Sequence, residues 1–169
     1  SSISRCVNEN SNTYKTLCHG HGKICCQSTN VSMNKCGRRS GIYCWSYGDS
    51  NSVTCSLLYS TFADNNAKGH ICIRFENGNA KYEMKCCNII RNTQGDLSSY
   101  GTFYLNGNLI IKDSCILENT ATNIFYSTSS SYTFTLSNCT VDKTTNNGRL
   151  TTQNTVTKSF ILGLQHMST

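Results

Sequence analysis

Apolar and polar residues alternate through two near-copies of one phrase, LIIKDSCILE at residues 109–118 and TFTLSNCTVD at residues 133–142. Each reads as a strand that reaches a polar bend, then a cysteine, then a further apolar residue. Used as a template, the frame of apolar, any, apolar, two further residues and Cys recurs at Val31, Met33 and Cys36 and at Tyr82, Met84 and Cys87. Leu109, Ile111 and Cys115 fit with one extra residue, Ile3 with Cys6 is a shortened version, and Val53, Cys55 and Leu58 fit with Leu in place of Cys. The columns at 6, 36, 58, 87, 115 and 139 predict about six rungs of variable length.

A second strand signal lies between these. Gly22, Gly41, Gly69 and Gly101 each precede large apolar residues at their second and fourth successors. Strand side chains alternate, so Ile24, Tyr43, Ile71 and Phe103 are expected on the core face with Cys26, Trp45, Ile73 and Leu105. Cys25, Cys44 and Cys72 then fall out of phase and point outward. Turn chemistry collects at 49–51, 64–66, 77–79, 106–108 and 145–148, where Asn and Gly accept a left-handed backbone. Asn-Gly also signals two-residue hairpins. Equivalent strands returning every 20 to 30 residues or so favour instead a solenoid of parallel strands. The expected fold is therefore all-β, a right-handed parallel β-helix. Its coils occupy residues 1–148, and 149–169 form a cap or the start of a further coil within the same domain.

Composition sharpens this picture. Asn, Ser and Thr make up more than a third of the 169 residues, Pro is absent and charged residues reach only 14%. Such a chain is too polar for a thick core, yet its Tyr, Phe, Ile and Cys recur too steadily for disorder. The net charge of +6 is dispersed, with Arg38 and Arg39 the sole adjacent basic pair, so no nucleic-acid partner is expected. No apolar run has the length of a membrane span. The opening Ser1-Ser2-Ile3, with no start Met, is expected of a processed or excised piece.

Twelve cysteines, with Asn-X-Ser/Thr acceptors at Asn30 and Asn138, favour an extracellular or cell-surface glycoprotein. Buried thiols acting as small hydrophobes are the alternative. Neighbouring parallel strands are close enough for disulfides, and Cys25–Cys44 and then Cys115–Cys139 are the expected bridges. Metal binding is not expected: there is no Cys-x-x-Cys, adjacent Cys25-Cys26 and Cys86-Cys87 point to opposite faces, and Cys18, His19 and His21 share one Gly-rich loop. Glu118 and Asp142, three places after Cys115 and Cys139, are expected to stack on successive rungs. That spacing suits a glycosidase pair or a Ca²⁺ site, against the plainer reading of a solvated stack near Lys112 and Lys143.

The rung of alternating strand, bend, Cys and strand, repeated with Asn-rich turns, resembles the right-handed parallel β-helix of the pectate-lyase-like superfamily. Within it, the IxxC and LxxC rungs and the closing FILGLQHMST at 160–169 look most like polymorphic surface-protein repeats of trichomonad protists, themselves similar to bacterial polymorphic outer-membrane proteins. The bacterial repeats use Phe-x-x-Asn and Gly-Gly-Ala-Ile; this chain carries Phe-x-x-Asn at Phe103 to Asn106 and has no Gly-Gly-Ala-Ile. The resemblance implies a surface-displayed structural or adhesive role without catalysis or cofactor. The partner is expected to be a protein or glycan surface, and copies are expected to associate end to end. Gly20-His21-Gly22 matches a tripeptide of β-helical polysaccharide hydrolases, which keeps a carbohydrate-binding or carbohydrate-active β-helix as the alternative. The paired aspartates of those enzymes are missing.

Overall fold

A computed structural model describes residues 1–8, 17–20, 22–37, 41–46, 48–49, 51–67, 73–95 and 100–157. Among these residues every strand pairing is parallel, and the strands stack into three sheets of a β-solenoid. No described helix is long and apolar enough to cross a membrane.

The first sheet has seven short strands: β1 (Ser2–Ser4), β5 (Asn30–Ser32), β9 (Thr61–Ala63), β12 (Asn88–Ile90), β15 (Cys115–Leu117), β18 (Thr140–Val141) and β20 (Val156–Thr157). The second has four: β2 (Val7–Asn8), β6 (Lys35–Cys36), β10 (Asn66–Ala67) and β13 (Thr93–Gln94). The third and longest holds β3 (Leu17–Gly20), β4 (Ile24–Gln27), β7 (Ile42–Trp45), β8 (Val53–Leu58), β11 (Ile73–Lys85), β14 (Gly101–Lys112), β16 (Asn123–Ser127), β17 (Thr133–Ser137) and β19 (Arg149–Gln153). Four turns carry a strand in all three sheets, so the solenoid has about four complete turns rather than the six expected. Later turns keep the first and third sheets but reduce the second to a single bridge, Thr93 to Thr120.

The core is a set of vertical stacks. Val31, Phe62, Ile89, Ile116 and Val141 pile up inside the first sheet. Leu109 over Phe134 and Ile111 over Leu136 stand as the duplicated phrase predicts, continuing from Tyr82 and Met84 and from Cys55 and Leu57. Leu150 of β19 extends the stack beyond Phe134. A thin core of this kind stays dry because each apolar side chain meets a like one above and below, although the sequence is polar overall.

The corners depart from expectation. Left-handed residues form two columns: Ser28, Tyr59, Cys86, Asp113, Asn138 and Asn154 before the first sheet, and Arg5, Met33, Asp64, Arg91 and Glu118 after it. Of the expected turn clusters, 77–79 and 106–108 lie inside the continuous strands β11 and β14, where Gly107 takes φ +135°. Left-handed backbone is costly for residues with a side chain. It is retained here because the corner amides still donate to the next turn, as from Tyr59 to the Lys85 carbonyl and Asp64 to the Ile90 carbonyl.

Behind the second column stands a buried ladder. Asn34, Asn65, Asn92 and Asn119 stack, and each amide Nδ2 but the last donates to the Oδ1 of the next at 2.9–3.0 Å. The same nitrogens reach back to the carbonyls of Ile3, Val31, Phe62 and Ile89. Each asparagine thereby satisfies backbone groups that the sharp corner would otherwise strand in a dry interior.

Two expected faces are inverted. Ile42 and Cys44 point into the core and are 2% and 0% exposed, whereas Tyr43 and Trp45 take the opposite face of the strand, Trp45 at 43% exposure and Tyr43 covered to 9%. The Gly41 segment is therefore one residue out of phase with the Gly101 segment, in which Phe103 and Leu105 face inward as expected. Ile24 and Cys26 also face inward, but they belong to the other half of the long sheet, over Cys55 and Leu57. Ile71 and Cys72 lie outside the described residues.

Candidate interaction surface

Because Ile73, Phe75, Phe103, Leu105 and Phe125 take the inner positions of β11, β14 and β16, their neighbours Arg74, Tyr104 and Tyr126 must face outward. Parallel register puts Tyr43, Arg74, Tyr104 and Tyr126 in one column across four strands. The Arg74 guanidinium carbon lies 4.3 Å from the centroid of the Tyr104 ring and 5.5 Å from that of Tyr43. Tyr104 and Tyr126 stack at 5.5 Å with 21° between planes, and Tyr100 leans onto both at 5.5 and 5.0 Å.

The ridge is rigid for identifiable reasons. Cation–π and aromatic pairs each contribute on the order of 1 kcal/mol. Arg74 also forms an ion pair with Glu76, two residues along the same outer face. Burial pushes the Tyr104 phenol up, with Glu76 adding to the effect and Arg74 opposing it, so the hydroxyl stays neutral. Stacking turns the ring faces toward one another along the column, leaving ring edges and hydroxyls as what a partner meets.

The residues singled out from sequence are scattered. Glu118 and Asp142 are adjacent, but the Asp142 carboxylate accepts the Glu118 backbone N–H at 2.7 Å. That contact makes Asp142 a corner cap for a left-handed residue. Lys112 pairs with Glu83 at 3.1 Å and Lys143 donates to the Asn119 carbonyl at 3.3 Å. Asn30 is exposed, and exposed Asn138 donates from its amide to Asp113 at 2.6 Å.

No disulfide joins any of the ten described cysteines. The expected bridge Cys25–Cys44 is not made: Cys25 is exposed on β4 opposite Ser56, while Cys44 is buried on β7 opposite Phe75. Cys115 and Cys139 are not joined either, because Cys115 stands opposite Thr140 on the outer face while Cys139 is buried one place before it. The cysteine column is in fact shared with hydroxyls, in the order Thr29, Ser60, Cys87, Ser114 and Cys139. All five donate to the carbonyl two residues earlier, Cys87 to Lys85 and Cys139 to Ser137 at 3.3 Å, Thr29 to Gln27 at 3.2 Å, Ser60 to Leu58 at 2.8 Å and Ser114 to Lys112 at 2.6 Å. Burial pushes the Cys87 and Cys139 thiols up, so they remain protonated donors. Among the described residues no three His, Cys, Asp or Glu side chains converge on a metal-sized point. The Cys18 and His19 side chains and His21 lie outside what is described.

The ridge itself went unread in the sequence, although Phe103-Tyr104 and Phe125-Tyr126 repeat one inward–outward aromatic pair on adjacent turns. Comparison with family models, with curated proteins and with solved structures finds no match to the chain.

Proposed function

We propose that the chain is a non-catalytic structural or adhesion module, displayed outside the cell or on its surface, that meets its partner through the Arg74–Tyr104–Tyr126 ridge, with the covered Tyr43 ring bracing Arg74 from below. The observation that carries this reading is the ridge: an outward column of Tyr and Arg held on a rigid parallel sheet. Tyr and Arg are the side chains that recur at the energetic centres of protein interfaces, and pre-ordering them lowers the entropy cost of docking. The exposure of Asn30 and Asn138 and the pattern resemblance to surface-protein repeats support the same compartment. End-to-end association of copies is part of the proposal, since β19 and β20 each pair on one side only among the described strands.

The test uses beads coated with the chain on mucin-, collagen- and fibronectin-coated surfaces, alongside a polysaccharide panel assayed for new reducing ends. Retention on at least one surface is expected, with a several-fold loss in the folded Tyr104→Ala/Tyr126→Ala variant and no reducing ends released. Retention indifferent to the ridge variant, or turnover of any polysaccharide, would overturn the reading.

A further inference from the structure

The other half of the long sheet carries a second outward column of different chemistry. Lys81 stands opposite Asn108, Leu109 opposite Phe134 sets Asn108 beside Thr133, and Thr133 stands opposite Arg149. This column contains donors and no acid. Its neighbour two positions along runs Glu83, Ile110, Thr135 and Thr151. An open groove of about 420 Å³ lies over the two columns, lined by Lys81, Asn108, Leu109, Ile110, Thr133 and Thr135.

The polar groups in the groove are unevenly used. Asn108 Oδ1 accepts the Thr133 N–H at 3.1 Å, which fixes the amide and turns its Nδ2 away from that bond. Thr135 Oγ1 is engaged by the Thr151 hydroxyl at 3.2 Å. Among the described residues, the Lys81 ammonium, the Asn108 Nδ2 and the Thr133 hydroxyl have no hydrogen-bond or ion-pair partner. The nearest acid along the strand, Glu83, is neutralised by Lys112. One cation, an amide and a hydroxyl thus converge beside a small apolar floor of Ile110 and the Thr135 methyl. That set complements a body that is anionic, rich in acceptor oxygens and apolar on one C–H face, and the volume is ordinary for a small-ligand site. No aromatic ring is among the lining residues to stack a nucleobase.

We propose that this groove binds an anionic saccharide residue, with Lys81 taking its carboxylate or sulfate, Asn108 Nδ2 and Thr133 Oγ1 donating to ring oxygens and hydroxyls, and Ile110 packing beneath the ring. Arg149, exposed at the far end of the column, extends the track for a longer chain of such residues. The site is separate from the Tyr/Arg ridge, and neither depends on the other.

The test is a titration of the ¹⁵N-labelled chain, followed by amide shifts, with four probes: glucuronate, glucose 6-sulfate, glucose and inorganic sulfate. Glucuronate or glucose 6-sulfate is expected to move the amides of Asn108, Ile110, Thr133 and Thr135 with a dissociation constant on the order of 1 mM. The two arms separate a carboxylate site from a sulfate site. Glucose and inorganic sulfate are expected to bind at least about tenfold more weakly. Lys81→Met should abolish the shifts while leaving the rest of the spectrum intact, Lys81→Arg should keep them, and Tyr104→Ala should not alter them. Equal binding of glucose, equal binding of inorganic sulfate, indifference to Lys81→Met, or no shift at these amides with any probe would each overturn the proposal.

Discussion

Replacing Asn92 by Leu removes the polar contacts of one ladder rung at nearly constant volume, so it isolates hydrogen bonding from cavity formation. The side chain is fully buried and makes four bonds. It donates to the Phe62 carbonyl at 2.8 Å and to Asn119 Oδ1 at 3.0 Å, and accepts from the Asn65 backbone N–H at 3.2 Å and Asn65 Nδ2 at 2.9 Å. At about 1 kcal/mol net per bond the loss is roughly 4 kcal/mol, and the partners left unsatisfied in a dry interior push it higher. Against a typical stability of roughly 5–15 kcal/mol for a domain, that is a large fraction. Urea unfolding followed by circular dichroism should show a lower midpoint at unchanged slope. Amide exchange should accelerate at Asn65, whose N–H loses its acceptor. Asn92→Asp should be at least as damaging, because it keeps the acceptor toward Asn65 but points an oxygen at the Phe62 carbonyl and Asn119 Oδ1. If Asn92→Leu unfolded within about 1 kcal/mol of wild type with Asn65 exchange unchanged, the ladder would not be what holds these corners.

Gly107→Ala should destabilise by about 2 kcal/mol or more, since a Cβ there would sit 2.8 Å from both the Ala80 carbonyl oxygen and the Tyr82 ring at φ +135°; chemical denaturation measures it. Iodoacetamide at neutral pH should label the exposed Cys6 and Cys25 in the native protein and reach Cys87 and Cys139 only on unfolding, which peptide mapping by mass spectrometry will show. Asp64 is gripped by Arg91 at 2.7 and 2.9 Å, and this hydrogen-bonded pairing holds its carboxyl below the usual range. A depressed folded value means the contribution is complete above the unfolded carboxylate value and is lost as pH falls through the folded one. Because both side chains are substantially exposed, Asp64→Asn should cost under about 1 kcal/mol at neutral pH and flatten the acid limb of a stability–pH profile.

The legible part of the fold was the part governed by strict alternation. Residues 109–111 and 134–136 each place two apolar side chains one residue apart on a strand, and a parallel register with both pairs inward is the one that keeps them dry. The cysteine frame misled because it treated a corner residue as the repeat marker. The frame equates Val31, Met33 and Cys36 with Phe134, Leu136 and Cys139, yet Val31 belongs to the first sheet and Phe134 to the third. Asparagine was the better marker: Val31 and Asn34, Phe62 and Asn65, Ile89 and Asn92, and Ile116 and Asn119 repeat one apolar residue followed three places later by a buried amide. The outward ridge was hidden by a one-residue slip at Gly41, which sends Tyr43 and Trp45 to the wrong face because side-chain direction has a period of two. The groove could not be read at all, since Lys81 and Thr133 lie 52 residues apart and meet only through register.

The asparagine ladder also bears on how such a chain can change length. Each amide but the last donates toward the C-terminal turn and accepts from the N-terminal one, so the inner rungs offer the same socket below and the same plug above. Asn65 to Asn92 and Asn92 to Asn119 are both spans of 27 residues. Excising residues 65–91 would join Asp64 directly to Asn92, restoring the local order of left-handed corner and buried amide without a mismatched junction. Removing or duplicating one whole 27-residue turn at this boundary is therefore expected to leave the fold intact, and cutting within a turn is expected to break it.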